Sequence, residues 1–396
     1  MNPDAHTTLP APWDRLPRLG LMAGGAGLLL SLLGAFAAPG AVFPSYLVAF
    51  LFWVNISLGC LCALLLHYLV GGAWGFLIRR PLEAAVMTIP LMALLFLPLL
   101  LGLHQLYPWS RPEVVAADHA LQHKSAYLNV QFFVVRAAIY FGLWSLLAGL
   151  LRWGSGVQDR TKDPRATWRL QAMSAPGLVL TFLAITFAMI DWGMSIEPHW
   201  YSTIYGAMLL VGGGLSALAA MIITASSLSR VEPLTVMAKP DPFHDLGNLL
   251  LAFTMLWAYM SFSQFLIIWS GNLTEEIPWY LRRSEHGWRW LALLLMVFHF
   301  FVPFFLLLFR VNKRVSQNLW RVAALLLLMQ WLNDIWLVIP AFPKAGWFTP
   351  VFLVAALVGI GGLWVSLFSW LLAQRSLLPQ HDPLLEEVLA HQGEHH

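Results

Sequence analysis

Residues 247–269 read GNLLLAFTMLWAYMSFSQFLIIW, twenty-three positions without one acidic or basic side chain. A helix rises about 1.5 Å per residue, so roughly twenty apolar positions cross the hydrocarbon of a bilayer. This stretch is therefore expected to be a membrane-spanning helix, and LEAAVMTIPLMALLFLPLLLGLH at 82–104 reads the same way. Working outward, further apolar runs fall at 17–38, 44–71, 127–151, 171–192, 202–227, 288–309, 318–340 and 347–371. Ten spans predict an all-α membrane protein, a single integral membrane domain over 1–396. The composition agrees: 59% of residues are hydrophobic and 11% charged, against roughly a quarter charged in a soluble domain. Twenty tryptophans and twenty-five phenylalanines suit helices whose aromatic residues gather at the two bilayer interfaces.

The net charge of +3 arises from the loops and does not mark a nucleic-acid partner. Cys60 and Cys62 stand two apart in an apolar run, where helical geometry points them in different directions, and read as packing residues. The sequence has no CxxCH for covalent haem, no four-cysteine cluster and no GxGxxG motif, so no redox cofactor is expected on this chain. The polar amino terminus and the spans that follow the first apolar run argue against a cleaved signal.

Lysine and arginine resist translocation and mark the cytoplasmic side. With the amino terminus inside, the inner segments hold Arg15, Arg18, Arg79, Arg80, Arg152, Arg160, Lys162, Arg165, Arg169, Arg230, Lys239, Arg310, Lys313, Arg314, Arg321 and Arg375. The outer segments hold only Arg111, Lys124, Arg282, Arg283, Arg289 and Lys344, and Arg136 lies within a span. Both termini are thus expected in the cytoplasm of a bacterial inner-membrane protein, as a short segment of about 1–16 and a tail of about 372–396. The tail, ending in Glu394, His395 and His396, is expected to be mobile. No loop is long enough for a second folded domain. Gly212, Gly213 and Gly214 in span six, and Gly359, Gly361 and Gly362 in span ten, permit close helix approach.

Polar groups inside a span need partners or water, and each is a functional candidate. Span four carries Gln131, Arg136 and, one turn deeper, Tyr140. Asp191 at the outer end of span five and Asp334 in span nine are the candidate counter-charges for Arg136, with Gln330, Asn333 and Asp334 forming one stripe. Span seven adds Tyr259, Ser261, Ser263 and Gln264, span eight His299, and span two His67. Two readings stay open. These residues form a proton half-channel from Asp191, Arg136 and Asp334 to His299 with His67 as an inner station, or they satisfy one another as structural pairs. A haem b held by His67 and His299 is a third possibility, disfavoured by their different depths.

The outer loops mix aromatic and charged residues. One carries Glu197, His199 and Trp200, the other Glu275, Glu276, Trp279, Arg282 and Arg283. Such surfaces suit an interfacial belt or the docking of a partner. Glu197 and His199 without a third ligand make no metal site.

LWAYMSFSQFLIIWSGNLTEEIPWYLRR at 256–283 resembles the seventh-span region of the ActF subunit of bacterial alternative complex III. DWGMSIEPHWYSTIYG at 191–206 is similar to that family's fifth-to-sixth-span connection, and the likeness continues through WLNDIWLVIP at 331–340. The resemblance implies a membrane subunit of a quinol:cytochrome c, or other periplasmic-acceptor, oxidoreductase. Its fold would be NrfD-like (polysulfide-reductase-like), with spans 2–5 and 6–9 as two four-helix bundles flanked by spans 1 and 10. The implied partners are a sister NrfD-like subunit with the quinol site, an iron–sulfur protein, multihaem and monohaem c-type cytochromes and membrane lipids, with a terminal oxidase as a further associate. Haem c and iron–sulfur clusters would lie in those other subunits and none on this chain. A proton-conducting role would fall to Arg136, Asp191, His299 and Asp334. The rivals are a stand-alone secondary transporter, disfavoured by continuous-looking spans, and a haem b anchor subunit.

Topology reporters fused after Gly154 and after Asn272 are expected to report inside and outside respectively. The same side for both would overturn the ten-span alternation.

Overall fold

The computed structural model describes residues 9–388, apart from Lys162, His286, Lys344, Ala345, Trp347 and Glu386. Two charges used for orientation, Lys162 and Lys344, and the Glu394–His396 end of the tail lie outside the described residues.

Among the described residues there is no β-strand. The principal helices are α1 (Leu16–Ala37), α2 (Pro39–Val70), α3 (Ala73–Val86), α4 (Ile89–Leu101), α5 (Val130–Arg160), α6 (Pro164–Trp192), α7 (Tyr205–Leu228), α8 (Pro240–Gly271), α9 (Trp288–Leu308), α10 (Ser316–Val338) and α11 (Thr349–Ala373). Among the described residues nine of them are long and apolar enough to cross a membrane, or ten where the bent pair α3 and α4 counts as one span, so the chain is a multi-pass membrane protein. The helices alternate between two ends. Ser366 donates to the Pro17 carbonyl at 2.6 Å, which puts both described termini at one end, here the terminal end. The loops at 102–129, 193–204 and 272–287 occupy the far end.

Of the nine long helices α2, α7 and α10 are the most enclosed, α3 is buried along nearly its whole length, and α1, α8 and α9 are largely exposed. The centre forms because glycine lets backbones meet. A Cβ on Gly59 of α2 would lie 2.2 Å from the Gly213 carbonyl oxygen of α7. Without a hydrophobic drive between helices in lipid, such close contact supplies the packing attraction. α1 sits on α11 by the same device, with Gly27 against the Ala355 carbonyl and Gly24 against Gly362. The outward faces of the peripheral helices are apolar: Leu256, Phe262 and Ile267 on α8, and Phe298, Phe305 and Phe309 along and just after α9, are exposed, as lipid contact requires.

Two spans depart from the continuity expected of them. α3 and α4 meet at an angle of 41°, because Pro90 in the first turn of α4 has no N–H to continue the ladder. Thr88 at the break is fully buried; its hydroxyl pairs with Ser57 Oγ at 2.8 Å and donates to the Ala85 carbonyl at 2.6 Å. Trp364 Nε1 donates to the same Ser57 hydroxyl at 2.8 Å, so α11 closes over the break. In α9 the turn Met296–Phe301 is π-helical. Pro303 follows it, and its missing N–H leaves the carbonyl of His299, four residues earlier, outside the α-helical ladder.

Gly59→Leu is expected to destabilise the detergent-solubilised protein by about 1–3 kcal/mol or more, because the added side chain meets backbone. Gly142, with open space around its Cβ position, should accept alanine with a gain of about 0.4–1 kcal/mol. Thermal unfolding of the two variants beside the wild type checks both.

Candidate functional site

Three arginine-centred clusters organise the buried polar residues. The first joins α5 to α6. Asn129 caps α5, its Oδ1 accepting from Phe132 N at 2.9 Å, and the helix then carries Arg136 inward. Arg136 grips Asp191 with two hydrogen bonds, Nε to Oδ2 at 2.8 Å and Nη2 to Oδ1 at 2.9 Å. Its third nitrogen, Nη1, donates to the Tyr127 carbonyl at 2.9 Å, and Tyr140 Oη donates to Asp191 Oδ2 at 3.0 Å. The guanidinium also lies over the Tyr127 and Phe132 rings, 3.9 and 4.3 Å from their centroids. Asp191 is buried, and so planar and bidentate a pair has its charges matched in place. Of the two candidate counter-charges, Asp191 is the partner. Gln131 points outward.

Asp334 belongs elsewhere. Its Oδ1 accepts from Gln330 Nε2 at 3.0 Å, while its Oδ2 makes no hydrogen bond. Gly212 of α7 faces this amide, where a Cβ would lie 2.8 Å from Gln330 Nε2. His299 is fully buried in the π turn, its ring 4.0 Å from that of Trp257, and neither ring nitrogen has a hydrogen-bond partner. His67, near the terminal end, packs edge-on against Phe76 and Trp74. Among the described residues no hydrogen bond connects Asp334 or His299 to the Arg136–Asp191 pair. Tyr259, a proton-path candidate by sequence, is 69% exposed on the outer face of α8 and is thereby separated from the buried groups.

The second cluster locks the far-end loops. Glu197 Oε2 accepts from Arg283 Nη2 at 2.7 Å and its Oε1 pairs with Arg282 at 2.9 Å. Arg283 also donates to the Leu337 and Trp279 carbonyls, at 2.6 and 3.0 Å, and stacks 3.6 Å from the Trp279 ring centroid. Burial pushes the Arg283 guanidinium below its ordinary value, and the Glu197 carboxylate opposes that fall. Trp200 and Trp279 stack in parallel at 4.5 Å, and Ser202 donates to Gln264 Oε1 at 3.0 Å. Glu197, Trp200, Trp279 and Arg283 are therefore turned inward, and the loops use these side chains in holding each other. His199 stays exposed and pairs with Asp118 at 2.8 Å rather than with Glu197. Glu275 is exposed and Glu276 half-buried. Among the described residues no three His, Cys, Asp or Glu side chains gather where they could hold a metal ion.

The third cluster was missed by sequence reasoning. At the terminal end Arg79 and Arg80 of α3 are buried, not loop-exposed. Glu83 accepts from Arg79 Nε at 3.1 Å, from Arg80 Nη1 at 2.6 Å and from Ser155 Oγ at 2.7 Å. Arg80 Nη2 reaches Asp159 at 2.5 Å, and Arg79 donates to Gln158 and to Asp382. Asp382 is buried with Leu377 and Leu385, and Asp159 Oδ1 accepts from the Gln380 backbone. The described part of the tail is thus strapped onto α3 and α5, which corrects the expectation of mobility. The available signal was the pair of adjacent arginines followed by a glutamate at i+4 and i+3, a spacing that brings these side chains together on a helix.

No protein-family model matches the chain, and no curated protein matches its sequence.

Asp382→Ala leaves Arg79 with one carboxylate fewer in a buried site, where breaking a pair costs about 3–5 kcal/mol. Limited trypsin digestion should then cut near Arg375 faster than in the wild type, and an unchanged cleavage rate would contradict the strap. Asp159→Asn should loosen the same segment to a smaller extent, since Asp159 is less buried than Asp382.

Proposed function

We propose that this chain is a cofactor-free integral subunit of a respiratory quinol:acceptor oxidoreductase similar to alternative complex III, a subunit that supports assembly and conducts protons. The observation that carries the reading is a convergence. The stretches 191–206, 256–283 and 331–340, which bear the resemblance, interlock at the far end: Glu197 and the Leu337 carbonyl meet on Arg283, and Ser202 meets Gln264. Segments distant in sequence share one packed unit, which is what a family-level constraint on them would require. On this reading the protein lies in a bacterial inner membrane with both termini cytoplasmic, its spans 2–5 and 6–9 forming two four-helix bundles. Haem c, iron–sulfur clusters and the quinol belong to partner subunits.

The polar geometry divides the four proton-path candidates. Arg136 and Asp191 saturate each other and suit a structural role. Asp334 Oδ2 and both His299 nitrogens are buried without hydrogen-bond partners, which makes them the groups to which this reading gives proton exchange. The bend at Met87 and Thr88 favours a second reading, a stand-alone secondary transporter, since transporters use broken helices; the groups at the break, Thr88 and Ser57, are neutral and mutually bonded.

Affinity purification of the tagged chain from its native membrane should bring down c-type haem and quinol:cytochrome c activity. Recovery of the chain alone, with solute uptake in liposomes, would favour the transporter. Within such a complex, Asp334→Asn or His299→Leu should preserve uncoupled electron transfer and lower proton movement in sealed vesicles; unchanged proton movement in both would remove the conducting role.

A further inference from the structure

At the terminal end α5 and α6 enclose a groove of about 90 Å³ that opens outward. Its walls are Trp153 and Val157 on α5 and Leu170 and Met173 on α6, with Arg169 at its mouth. The floor is closed tightly at Gly154, where a Cβ would lie 2.7 Å from a Leu170 methyl. Trp153 on its wall and Trp168, beside Arg169 in the sequence of α6, are 66% and 67% exposed. Exposed tryptophans near the ends of spanning helices mark the headgroup level of a bilayer, so the groove runs from that level into the acyl region.

The charges at the mouth are one-sided. Arg165 and Arg169, one helical turn apart on α6, are exposed, and among the described residues neither side chain makes an ion pair. The acidic groups nearby are already engaged. Asp159 holds Arg80, and Asp163 accepts from the backbone N–H of Arg165 as the cap of α6. Arg160 is exposed at the end of α5. Long arginine side chains starting below the interface lie along apolar surface and lift their heads to the headgroup level. Basic positions beside an apolar groove between spanning helices complement one ligand, a lipid with an acyl chain and an anionic phosphate.

We propose that this groove binds an anionic phospholipid, its acyl chain along Val157, Leu170 and Met173 and its phosphate on Arg169 and Arg165. The site does not depend on the function proposed above.

The test is native mass spectrometry of the full chain released from micelles containing equal phosphatidylglycerol and phosphatidylcholine of identical acyl chains. The wild type should retain phosphatidylglycerol preferentially. Each of Arg165→Gln and Arg169→Gln should lower that retention by about fivefold, the effect of one basic residue at an anionic surface. Both residues are exposed, so the variants should keep the wild-type melting temperature. Val157→Trp, which fills the groove and keeps the charges, should lower retention as well. Equal retention of the two lipids by the wild type would overturn the proposal. So would a double arginine variant that holds phosphatidylglycerol like the wild type, or full displacement of the lipid by soluble glycerol phosphate.

Discussion

An ionised group removed from water must be met by opposite charge and hydrogen bonds, and in this chain that constraint falls on a few arginines. Arg79 with Arg80, Arg136 and Arg283 each lie buried, and each binds segments far apart in sequence. Arg136 ties α5 to the end of α6. Arg283 gathers the loop after α6, the loop after α8 and the end of α10. Arg79 and Arg80 draw α5 and the carboxy-terminal strap onto α3. Since stranding any of these charges is severely unfavourable, the pairs select one arrangement among the many that apolar helix faces would allow. Dispersion packing at the glycine contacts then fills in what the charges have aligned.

The spans were legible because a bilayer imposes a length and a composition on a helix, and 247–269 or 82–104 could be little else. Their true ends were less legible. α5 continues to Arg160 and α8 begins at Pro240, beyond the apolar runs, because the apolar run records the thickness of the hydrocarbon and a helix continues past it into water. The pairing of Arg136 with Asp191 was one of two options in the sequence, and only packing could choose between them. Glu83 escaped notice because it opens an apolar stretch, although its two arginine partners stand only three and four residues before it; the groups that α5 and the tail add to those arginines are far away in sequence. The aromatic and charged loops drew attention correctly as special, but composition could not tell side chains that face a partner from side chains that face each other.

The separation of saturated from unsaturated polar groups bears on mechanism. In the bidentate Arg136–Asp191 pair both carboxylate oxygens and the facing N–H groups are already engaged, which restrains both partners to holding the helices together. A buried carboxylate with a free oxygen, or an imidazole in a loosened π turn, has no such restraint. On the proposed reading the structural and conducting duties are thus divided between the α5–α6 pair and the residues of α9 and α10.

The strap at the terminal end also sets an order of events during synthesis. Arg79 and Asp382 stand 303 residues apart, so the α3 arginines enter the membrane long before Asp382 exists. Glu83, one turn away on the same helix, is the only carboxylate of the cluster that travels with them, and it must balance the two guanidinium groups while the later helices insert. A segment made long after α3 is then the piece that completes the neutralisation of that helix.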